Sequence, residues 1–156
     1  MVAYVTNSSG VIIPSEEMLQ AVRELKAGEM VYLFPIGNDM VPFILGGVMN
    51  LTVVPGRRLR VGQVVLAESD CGLVLHRIVS IEGMLVTLMA DASTFGQEHC
   101  LAKDVIGTVV GMQDMNSGRR TRLSSAWLWR KTMHIRGMLL GIWNLFHPGS
   151  HSPEGL

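Results

Sequence analysis

From Met30 onward the chain alternates short apolar runs with clusters of turn-forming residues. Runs rich in Val, Leu and Ile, bounded by Gly, Pro, Asn and Asp, read as strands. The pattern predicts strands near 30–35, 48–54, 63–68, 73–81, 84–89 and 105–113. Gly46-Gly47, PGRRLRVGQ, DCG, Glu82-Gly83 and ADASTFGQE break them. Glu82-Gly83, between LVLHRIVSI and MLVTLM, is a hairpin signal. Strands at this spacing predict a mainly β fold, a partly open antiparallel barrel or coiled β-sheet.

The flanks carry a different period. PSEEMLQAVRELKAGE predicts one short amphipathic N-terminal helix. Ser15 serves as N-cap, Glu16 and Glu17 sit at the positive end, and Gly28 follows the last turn. Its apolar stripe is Met18, Leu19, Val22 and Leu25. One helix of this length does not supply a helix-turn-helix reader, so no nucleic-acid partner is expected. At the other end, Leu128, Ile135, Leu139, Ile142 and Phe146 fall near helical spacing and predict a C-terminal amphipathic helix. The chain thus divides into an N-terminal helical segment (1–29), a β-domain (30–118) and a basic, Trp-rich tail (119–156).

Charge sharpens this division. The net charge of zero hides a split: residues 1–118 carry 7 Lys+Arg against 12 Asp+Glu, and residues 119–156 carry 6 against 1. The uncharged run from Gly137 to Phe146 is too short to span a bilayer, which takes roughly 20 residues. With its tryptophans and basic residues, the segment 123–146 fits either an anionic membrane surface or packing on the domain or a second chain. Composition is 48% hydrophobic with a mean hydropathy of +0.33, which is apolar for a free soluble chain. The excess points to a membrane face, a partner or a peptide groove. The two cysteines, Cys71 and Cys100, form no CxxC pair, and MVAYVTNSSG lacks a basic and apolar leader pattern. A reduced, cytoplasmic protein is expected, with a peripheral position on the inner face of the membrane open to it through the tail. The eleven methionines are scattered and read as core filler.

One turn stands out. PIGNDMVP, residues 35–42, follows an apolar run and presents Asp39 between Gly37-Asn38 and Met40 with Pro42. A Gly-, Asn- and Pro-rich turn at a strand end holds one side chain in a fixed place. PIGNDMVPFILGG resembles the nucleophile box, Gly-x-Ser-Met-x-Pro, of the signal peptidase and LexA-type serine peptidases. LRVGQVVLA resembles that family's Leu-x-x-Gly-Asp-Val-Val strand. LVLHRIVSIEGMLVTLMAD, followed by DVIGTVVGM, resembles its general-base strand, hairpin and Gly-Asp box. The resemblance covers about residues 30–113, in order. It implies a coiled, partly open β fold and an extended peptide as the bound partner. It also implies a site in which His76, before Arg77, is the base of the family's histidine branch and Asp91 orients or assists it. Met40 and Pro42 would then shape the peptide subsites.

The family's serine position is Asp39 here. A carboxylate is already ionised at neutral pH, so His76 has no proton to take from it. Attack on an amide would give a mixed anhydride with a far better leaving group than the amine. Gln63 replaces a family aspartate, and Ala90 replaces the glycine before Asp91, where backbone freedom is lost. Ser8, Ser9, Ser15, Ser69, Ser80, Ser93, Cys71 and Cys100 all lie outside the nucleophile turn. The expected function is a peptide-binding homologue of these peptidases, inactive as a serine peptidase and without a cofactor. The alternatives are an active endopeptidase of the family, with a serine native to position 39 or other chemistry, and a metal site of Asp39, His76 and Asp91. In the inactive reading the cleft holds Asp39, His76 and Asp91 together.

Overall fold

The computed structural model describes residues 2–3, 20, 23–24, 26–35, 37–56, 58–123, 131–132 and 135–146. The strands are β1 (Val2–Ala3), β2 (Val31–Leu33), β3 (Met49–Pro55), β4 (Val64–Ser69), β5 (Gly72–Glu82), β6 (Leu85–Met89), β7 (Glu98–Leu101), β8 (Val105–Asp114) and β9 (Arg120–Thr121). A 3₁₀ turn at Ala102–Asp104 links β7 to β8, and helix α1 spans Arg136–Phe146.

The described residues form a mainly β molecule: an open, curled, largely antiparallel sheet of half-barrel form, with one helix. Its order is β1-β2-β3-β8-β4-β5-β6-β7, and β9 also pairs with β8. Among the described strands, only β1 and β2 run parallel. Strand β8 organises the sheet, because Gly107 and Thr108 pair with β3 on one side and β4 on the other. Bulges at Thr52/Val53, Leu66/Ala67 and Ile78/Ser80 help the sheet curl.

Alternation along β4 shows why the sequence there reads as a continuous apolar run. Val64 and Leu66 enter one cluster with Leu33, Met40, Ile44, Leu51 and Val53. Val65 and Ala67 enter a second with Ile78, Val86, Leu88 and Cys100. A strand covered on both faces needs apolar residues at both parities. Strand β5 lies next to it, so its side chains also divide between the two faces.

The six expected strands all appear, with ends shifted by at most two residues. The expected hairpin turns at Gly83, whose φ of +62° suits glycine. Strand β7 was not expected: ADASTFGQE was read as a breaker, and the short polar run EHCL that follows lacks an apolar alternation. Helix α1 bears out a helix in the tail, but it begins only at Arg136. The N-terminal helix expected from Ser15 to Gly28 lies largely outside the described residues. Within it, the Glu24 amide donates to the Gln20 carbonyl in a helical i, i+4 bond.

Candidate functional site

The turn between β2 and β3 is built around a close backbone approach. The Gly47 amide donates to the Pro35 carbonyl at 2.8 Å and closes the loop. A Cβ on Gly46 would lie 2.0 Å from the Gly37 carbonyl oxygen and 2.4 Å from its nitrogen, so position 46 has room for nothing larger than glycine. Gly37 itself has φ +122°, a conformation that other residues rarely adopt. Inside the loop, the Phe43 and Ile44 amides donate to the Met40 carbonyl. Met40, Val41 and Ile44 are buried, and Met40 and Ile44 belong to the first core cluster. The loop is therefore anchored from beneath, and Asp39 is left exposed on top. Its carboxylate makes no hydrogen bond or ion pair with the described residues.

One main-chain bond ties this turn to the segment after β6: the Ala92 amide donates to the Asp39 carbonyl at 2.9 Å. The backbone at Asp39 and that at Asp91-Ala92 are therefore adjacent. The side chains pair differently from the expectation. Asp91 is 2% exposed, and both its oxygens accept hydrogen bonds from Arg77. The Arg77 Nε lies 2.8 and 3.1 Å from the two oxygens, and its Nη2 lies 2.6 Å from one of them. Arg77 Nη1 donates to the Gly62 carbonyl, and its guanidinium stacks 5.2 Å from the centroid of the Phe43 ring. Asp91 is thus the counter-ion of a buried arginine, which links the nucleophile-like turn to β5.

His76 has another partner. Its Nδ1 lies 3.2 Å from Glu98 Oε2, with both side chains mostly but not wholly covered. An ionised Glu98 is an acceptor only, so it favours the tautomer with the proton on Nδ1 and leaves Nε2 as the basic nitrogen. Glu98 orients His76 in place of the expected Asp91, and no contact among the described residues joins His76 to Asp39. Ser69 Oγ also lies 3.3 Å from Glu98 Oε2 and donates to the Gly72 carbonyl at 3.0 Å. Sequence reading missed Glu98 because β7 was not foreseen. The signal was its parity: Glu98 and Cys100 point to one face of β7, and Cys100 is in the second core cluster.

The other expected site residues divide as follows. Met40 lies in the core, so its side chain is not open to a peptide, a correction to its expected part in a subsite. Pro42 is partly exposed and follows a cis peptide bond. Gln63 takes up a local role, since its side-chain oxygen accepts from the Arg60 amide at 2.7 Å. Neither cysteine is placed to act as a nucleophile. The negative charge of Asp70 raises the pKa of exposed Cys71, with burial and Glu98 adding to it, and Cys100 is raised chiefly by burial. Both effects deplete the thiolate. The metal reading loses a ligand because Arg77 occupies both Asp91 oxygens, and no group of three or more ligand side chains assembles among the described residues.

The helix is keyed to the same place. Buried Arg136, at the start of α1, donates from Nη1 to the Ser93 carbonyl at 2.9 Å. Desolvation lowers its pKa, while the charge of Asp91 raises it and that of Arg77 lowers it further. Compared with protein-family models, curated proteins and solved structures, the chain matches none.

Proposed function

We propose that this protein is a peptide-binding relative of the signal peptidase and LexA-type peptidases whose nucleophile position has become Asp39. The observation that carries the reading is the rigid, core-anchored turn that leaves Asp39 exposed and bonds its carbonyl to Ala92. Beside it, strand β5 carries the buried Arg77–Asp91 pair on the face that the turn covers, and the His76–Glu98 pair on its other face. In this reading Glu98 sets the tautomer of His76, and Arg77–Asp91 fixes the backbone around residue 39. An extended peptide would add along an exposed strand edge, through main-chain hydrogen bonds, beside Pro42. Asp39 withholds the covalent step, because its carboxylate has no proton to give and its acyl product would collapse.

The test is Asp39→Ser, read by a serine-directed acylating probe and located by mass spectrometry. Loss of a serine-enzyme nucleophile lowers rates on the order of 10⁶-fold, so restoring one should make labelling measurable. Labelling of residue 39 in folded Asp39→Ser that the heat-unfolded protein lacks is the expected result. A folded but unlabelled Asp39→Ser protein, or cleavage of peptides by the unaltered chain, would overturn the reading.

A further inference from the structure

Helix α1 has two unlike ends. Its start is fixed by buried Arg136, and Gly137 lies against Thr94, where an added Cβ would touch the threonine methyl at 3.6 Å. Beyond that, Met138, Ile142, Leu145 and Phe146 are exposed, Leu145 and Phe146 at 78% and 77%. They recur at the three- and four-residue spacing of one helix face. Phe95, 85% exposed, stands in the loop on which Arg136 docks. That loop is held locally, with Ser93 Oγ bonded to both the amide and the carbonyl of Phe95. Large exposed apolar side chains at this spacing along a helix mark an interaction surface.

Charge decides the occupant. Between Asp114 and Glu154 the chain contains no acidic residue, while the tail carries six Lys or Arg. At about 1.5 Å per residue, the eleven residues of α1 are far shorter than a bilayer core of roughly 30 Å. No helix among the described residues is long and apolar enough to cross a membrane. We propose that α1 and Phe95 form a docking face for an anionic lipid surface, lying in the interface with Ile142, Leu145 and Phe146 toward the acyl chains. Exposed Arg119, Arg120, Arg122 and Lys131 of the tail supply the attraction to the headgroups. Lipid binding by this face does not depend on the chemistry proposed for residue 39.

The experiment is co-sedimentation of the full chain with vesicles of phosphatidylcholine alone or mixed with phosphatidylglycerol. The protein should pellet with the anionic vesicles and bind about tenfold less to the neutral ones, and high salt should weaken the binding. Ile142→Asp/Phe146→Asp should lower anionic-vesicle binding at least about tenfold with an unchanged thermal melt. Phe95→Asp, outside the helix, should lower it as well, and it alone decides the matter if the double variant fails to fold. Failure of the parent protein to pellet, or equal binding by Phe95→Asp, overturns the proposal. So does a concentration-dependent dimer that Ile142→Asp/Phe146→Asp dissociates, because the face would then belong to a second copy.

Discussion

His76 and Arg77 are neighbours on β5, yet they live in different electrostatic worlds. Arg77 is 1% exposed and is tied by three close contacts to Asp91 and by a fourth bond to Gly62. His76 makes one contact with Glu98 and keeps some access to water. Each cation-forming side chain has one carboxylate, but the pairs suit opposite tasks. A buried, fully bonded arginine cannot change its charge and so serves as a fastener. A partly exposed histidine with one ring nitrogen committed can exchange a proton at the other. The adjacent pair in the sequence thus separates into structure on one face of the strand and candidate chemistry on the other.

The largest effect should come from breaking the fastener. Asp91→Ala leaves Arg77 charged and buried without its partner, a loss typically of about 3–5 kcal/mol. Thermal unfolding should show a fall of many degrees, and a fall of only a degree or two would mean that water relieves Arg77. Replacing both members, Arg77→Met with Asp91→Leu, should recover much of the loss.

Gly46→Ala strikes the turn that lies over the same face. Its Cβ would meet the backbone of Gly37, which cannot rotate away as a side chain would. A cost of about 1–3 kcal/mol is expected, together with displacement of Asp39. Amide shifts at Asp39 and Ala92 would report it, and unchanged shifts there would show that the turn is looser than its hydrogen bonds imply.

On the other face, Glu98→Gln should change stability by only about 1 kcal/mol or less, since the contact is single and partly wet. It should instead redistribute the His76 proton between Nδ1 and Nε2. Nitrogen-15 shifts of the ring measure this directly, and an unaltered tautomer would remove Glu98 from its positioning role.

The smallest effect concerns Cys71. The charge of Asp70 holds its thiol above the ordinary pKa, so Asp70→Asn should lower that pKa and raise the thiolate fraction near pH 8. Alkylation by iodoacetamide should accelerate about two- to threefold at pH 8 and converge with the parent rate well above the thiol pKa. Equal rates at pH 8 would show that Asp70 is too well screened to act.

Strand positions and the turn at 35–42 were legible in the chain because both depend on nearby residues. Apolar runs separated by Gly, Pro and Asn fix where extended backbone can form, and Gly37, Gly46 and Pro42 fix how the turn closes. The tail helix was legible from its spacing, though its start at Arg136 was not. What only the tertiary structure decided is which carboxylate serves which cation. Asp91 and Glu98 both lie within 22 positions of the His76-Arg77 pair, and sequence distance gives no preference between them. The choice follows from the curl of the sheet. It brings β7 within reach of the β4–β5 turn, where the Asp70 amide donates to the His99 carbonyl, and so sets Glu98 beside His76. Asp91 meanwhile is carried under the turn of Asp39, to the face where Arg77 points. A side chain's partner depends on face and curvature, and both are set by contacts between strands far apart in the chain.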